Sequence, residues 1–128
     1  QIAEIERGTR DKLWHGNLES RRDFLDVRDV VRAYRLILEK GEDGALFVIA
    51  GGESYRIQWL VERLFVLAEM EPIMEVDPAR IRPVDTPELR GDSSRLREST
   101  GWEPRYPVEE TLREILEEAR EAVRRQNS

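Results

Sequence analysis

"VRDVVRAYRLILEKGEDGALFVIAGG", residues 27–52, sets the class of the fold. Its first half is helical in pattern: Val27, Val30, Val31, Tyr34, Ile37 and Leu38 recur at intervals of three and four. The predicted helix begins at Asp26 or Val27 and runs to about Lys40, with Gly41 placed as a C′ glycine. Its second half, "ALFVIAGG" at 45–52, is a short apolar, β-branched run between glycines. It reads as a buried strand of a parallel sheet. A helix joined to such a strand predicts an α/β domain.

The flanks extend the same alternation. Residues 1–7 read as a helix turn or two that stops at Gly8. The stretch from Thr9 to Val27 has no helical period and predicts short strands and loops anchored by Leu13, Leu18, Phe24 and Leu25. "YRIQWLVERLFVLAEM" (55–70) reads as a second long helix, and "PIMEV" (72–76) alternates as a strand does. The proline-rich 77–92 stretch predicts an irregular connection, and 93–100 a short helix closed by Gly101. Pro107 opens a terminal helix whose stripe is Val108, Leu112, Ile115, Leu116, Ala119 and Val123. Glu109 and Glu110 at its start and Arg124 and Arg125 at its end suit the helix dipole. The expected whole is one small α/β domain over 1–128, with short parallel or mixed strands packed by three main helices.

Composition narrows the function. The 128 residues are 39% hydrophobic and 38% charged, as in soluble globular chains. A net charge of −6 argues against nucleic-acid binding, which needs a basic surface. No apolar run approaches the ~20 residues of a membrane span. The chain opens inside a helical pattern, with no signal peptide in view, so an excised domain is expected. It has no cysteine, which excludes disulfides and fits a cytoplasmic location.

Catalytic constellations are scarce. One histidine and no cysteine leave no structural zinc site. A serine triad would need His15, which reads more simply as an ordinary histidine. "AGGES" (50–54) reads most simply as a strand-to-helix turn. Its backbone N–H groups also offer a phosphate site, but no phosphate-loop glycine spacing accompanies them.

Two segments carry a resemblance. "GNLESRRDFLDVRDVVRAYRLILEKG" (16–41) and "DPARIRPVDTPELRGDSSRLRESTGW" (77–102) resemble the extended short-chain dehydrogenase/reductases that act on nucleotide sugars. The nearest likeness is to the GDP-mannose dehydratases and GDP-6-deoxymannose reductases, and "EPRYPVEETLREIL" (103–116) continues it. The resemblance implies the C-terminal, substrate-binding part of such an enzyme. The family's Rossmann half carries a glycine fingerprint, a catalytic Ser/Thr and a YxxxK pair. Here no GxxGxxG occurs, and Tyr34, Tyr55 and Tyr106 are followed four residues on by Leu38, Trp59 and Glu110. Alone, the chain is therefore expected to bind no cofactor and to catalyse no hydride transfer. By resemblance, Arg22, Arg82 and Asp85 match positions that contact the nucleotide and diphosphate. Guanidinium forks suit phosphate oxygens. Asp85 stands where the family has Glu, which shortens its reach.

The helix at 55–70 departs from the family. Ile57, Leu60, Val61, Leu64 and Leu67 or Ala68 form its core stripe. Trp59, Arg63, Val66 and Met70 make a second side, with Ile73 and Met74 just beyond. Three readings compete: a rearranged core, a homo-oligomer interface, and a surface for another protein, natural or engineered. The sequence reading favours a non-catalytic binding module with a protein partner or second copy on the 59–74 face. Its alternative is a GDP-sugar-binding fragment, of weak affinity alone, that is active only with the Rossmann half.

Overall fold

The computed structural model describes residues 1–82 and 86–126. The predicted α/β class holds. In chain order the elements are α1 (Ile2–Glu6), β1 (Leu13–His15), β2 (Arg21–Asp23), α2 (Val27–Lys40), β3 (Ser54–Arg56) and α3 (Ile57–Leu67). Then come β4 (Met74–Val76), a 3-10 turn (Pro78–Arg80), β5 (Glu88–Leu89), α4 (Ser94–Thr100) and α5 (Val108–Gln126). The chain divides into two compact units. The first holds 1–20, 56–87 and 109–128; the second holds 21–55 and 88–108.

In the first unit β1 and β4 pair in parallel, Leu13 opposite Met74 and His15 opposite Val76. Its core is Ile2, Ile5, Leu13, Phe65, Ala68 and Leu116, with Val61, Leu64, Met70 and Met74 packed against it. Phe65 is fully buried, though the expected stripe of this helix passed it over. The helix ends three residues short of its predicted Met70. Glu69 takes a positive φ of 55°, and the Met70 N–H reaches back to the Phe65 carbonyl at 3.0 Å. That is a left-handed helix stop made without glycine.

In the second unit the strand order is β3-β2-β5, with β2 and β5 parallel. Its core is Ala33, Leu96 and Trp102, with Leu25, Leu36, Ile37, Phe47 and Ile49 around them. Asp26 caps α2 by accepting the Arg28 N–H at 2.9 Å. Gly101 closes α4 at a φ of 72°, where its N–H meets the Arg97 carbonyl at 2.8 Å.

The helix expected from Asp26 or Val27 to about Lys40 is present as α2 (Val27–Lys40), but its apolar positions divide, and one strand expectation fails. Val27 (70% exposed), Val31, Tyr34 and Leu38 (88%) face solvent. The core is met by Ile37 of that pattern together with Ala33 and Leu36. The run at 45–50 is not a strand and pairs with none among the described residues. Phe47 and Ile49 pack inward, while Leu46 (80% exposed) and Val48 face out. The two-residue alternation of a strand survives without a neighbour to bond it.

Candidate functional site

The second unit builds a site around β2. Arg22 is half-buried, and its guanidinium donates to the Arg21 carbonyl at 2.8 Å. The next residue does the structural work. The Asp23 carboxylate accepts the N–H of Gly51 at 2.8 Å, Gly52 at 3.0 Å and Gly91 at 3.2 Å. Three amides satisfy one half-buried carboxylate, so desolvating the acid is offset. The clamp also engages the Gly51 and Gly52 amides of the 50–54 turn. That agrees with the simpler reading of this stretch as a turn, and leaves those two N–H groups unavailable to a phosphate.

Beside the clamp lies an open cavity of about 440 Å³. Arg22 and Arg90 line it, with Val30, Val48, Ile49 and Leu89 as apolar wall. Its size and its mix of apolar wall and few cations suit a small organic anion. Around it the charges are ordered. Glu88 accepts from the Ser54 hydroxyl and lies 3.6 Å from the Arg21 guanidinium. The hydroxyl, with help from the arginine charges, holds the Glu88 carboxyl below its ordinary value. A second hollow of about 390 Å³ is lined by Phe24, Tyr55, Pro104, Tyr106 and Pro107 among others. Burial, and then the hydrogen bond to Glu53, push the Tyr55 phenol up.

The other predicted residues are placed as follows. Arg82 belongs to the first unit and is exposed. Asp85 lies outside the described residues. On the 59–74 face, Met70 and Met74 pack against the core of the first unit. Arg63 pairs with Glu109 at 2.9 Å, and Trp59 is half-buried. Val66 (58% exposed) and Ile73 face solvent. His15 sits on β1, with Nδ1 2.8 Å from the Gly16 carbonyl. Among the described residues no helix is long and apolar enough to cross a membrane.

The model for "GDP-mannose 4,6 dehydratase" matches residues 1–115. The chain belongs to the GDP-mannose 4,6-dehydratase family. Among the family's members, GDP-6-deoxy-D-mannose reductase of Pseudomonas aeruginosa is 38% identical over 97% of this chain and 41% of its own length. GDP-mannose 4,6 dehydratase 1 of Arabidopsis thaliana is 30% identical, over 98% of this chain and 35% of the relative. The solved structure of RMD from Pseudomonas aeruginosa, complexed with NADPH, superposes with a TM-score of 0.89 at 34% identity. That match covers 95% of this chain and 40% of the other. The chain thus spans about two fifths of the family members it matches. The resemblance read from 16–41 and 77–116 holds. Asp23, Arg90 and Gly91 escaped the sequence reading. Their only signal was an Asp inside "RRD" and glycines far along the chain, which the fold alone brings together.

Proposed function

We propose that this chain is the nucleotide-sugar-binding part of an NAD(P)-dependent nucleotide-sugar dehydratase or reductase. One observation carries the proposal: nearly the whole chain aligns with a GDP-6-deoxy-D-mannose reductase, yet it spans only 41% of that relative. Binding falls to Arg22, at the cavity of the second unit, and to Arg82 and Asp85 by resemblance. The residues here do not fit a dinucleotide. No glycine fingerprint occurs, and the amides of the Gly51–Gly52 turn are held by Asp23. Hydride chemistry is therefore assigned to a dinucleotide-binding segment outside these 128 residues.

Surfaces suited to such a segment support the reading. Val27, Val31, Tyr34 and Leu38 of α2 are exposed, and so are Leu46 and Val48 of the unpaired 45–50 run. Exposed apolar residues in such number suit a surface that another segment covers. The alternative, a protein partner on the 59–74 face, keeps Val66 and Ile73 exposed and Trp59 half-buried, while Met70 and Met74 pack on the core and Arg63 pairs with Glu109. Two exposed apolar residues make a small anchor for an interface.

Calorimetric titration of the chain with GDP-mannose tests the proposal. Saturable binding, weakened by Arg22→Gln and absent for free mannose, is expected. No heat at millimolar GDP-mannose overturns it.

A further inference from the structure

We infer that, when the 128-residue chain stands alone, the outer face of α2 pairs with the same face of a second copy. The two helices run antiparallel about a two-fold axis. This pairing holds whether or not the chain binds a nucleotide sugar. Val27, Val31, Tyr34 and Leu38 are each more than half exposed. They follow one another at intervals of four, three and four, the spacing of a two-helix seam. The core of the second unit takes Ala33, Leu36 and Ile37 from the same helix, so the four outer side chains are spare. Leaving such a seam in water is costly.

The seam complements itself. Its spacing reads the same from either end of the helix. A two-fold axis between Arg32 and Ala33 therefore sets Val27 opposite Leu38 and Val31 opposite Tyr34. Each layer then joins one small β-branched residue to one large residue, and the layers fill evenly. Parallel pairing would set Tyr34 on Tyr34 and Val31 on Val31, one layer too wide and its neighbour too narrow. Antiparallel helices also bring the positive end of each dipole to the negative end of the other. The flanking charges are neutralised within each copy: Arg28 lies 2.9 Å from Asp26, and Arg35 lies 2.7 Å from Glu39. Two such faces bury on the order of 1,000 Å² in all, the lower end for specific complexes, so the dimer is weak, with a dissociation constant of about 100 μM.

Sedimentation equilibrium of the chain from about 10 μM to about 1 mM tests the pairing. Wild type is expected to pass from monomer to dimer over this range. Val31→Glu is expected to stay monomeric with an unchanged thermal melt. The chain has no cysteine, so introduced thiols report the register. Under mild oxidation, Val27→Cys mixed with Leu38→Cys is expected to give several-fold more disulfide-linked dimer than Val27→Cys alone, whose thiols lie about 16 Å apart along the seam. A wild type that stays monomeric throughout overturns the inference and leaves the face to a dinucleotide-binding segment. A dimer that survives Val31→Glu, or that Val66→Glu abolishes, overturns it by placing the second copy elsewhere. More cross-linking by Val27→Cys alone than by the mixture overturns the antiparallel arrangement. None of these results alters the GDP-mannose titration, so the two readings fail separately.

Discussion

Asp29 is fully buried near the start of α2 and organises the second unit from there. Its carboxylate accepts the N–H of Arg105 at 2.9 Å and of Tyr106 at 3.1 Å, and pairs with Arg32. Its main-chain carbonyl accepts the Trp102 indole N–H at 3.0 Å. Removing the carboxylate strands two amides and a guanidinium, so Asp29→Ala is expected to lose about 3 kcal/mol of stability. Urea unfolding measures it; a loss under about 0.5 kcal/mol would show that water replaces the carboxylate. Asp29 and Asp23 behave alike: each is an acid whose partners lie far along the chain. The sequence reading reached Arg22 because the motif around it is local. It missed Asp23 because nothing local announces that an amide 68 residues away will donate to it.

At the scale of elements, periodicity located every main helix but left open which side of α2 is buried. The α2 pattern is apolar on two sides, and no count of intervals tells which side meets the core. Ala33, a small residue, marks the inner face, where α4 and Trp102 approach. The 45–50 run has the composition of a strand, but a strand exists only with a bonded neighbour, and composition cannot supply one. The 55–70 helix had its second face read as too apolar. Of that second face only Met70 packs on the core, while Trp59 is half-buried and Val66 is exposed.

Packing of α1 on α5 carries an electrostatic consequence. Arg120 reaches Glu6, with Nε 2.9 Å from its carboxylate, and this hydrogen bond holds the Glu6 carboxyl below its ordinary value. The folded chain therefore binds that proton less readily than the unfolded chain, whose glutamates titrate near about 4.3. The stabilisation is present above that pH and is lost as pH falls through the lower folded value. Glu6→Gln is expected to cost about 0.5 kcal/mol at pH 6 and less at about pH 3. Paired urea curves at the two pH values check this; an equal cost at both would assign the effect to packing.

For the molecule as a whole, the account makes this chain a binding part of a nucleotide-sugar enzyme. The family was legible in the sequence because its motifs occur in order along most of the chain. The working geometry was not, because it depends on β2 meeting β5 and on glycines closing over Asp23. Hydrogen exchange read by mass spectrometry, with and without saturating GDP-mannose, tests the central claim most directly. The account predicts slowed exchange at 21–24 and 88–91, around Arg22 and Arg90, with 59–74 unchanged. Protection confined to 59–74, or none anywhere, would contradict it.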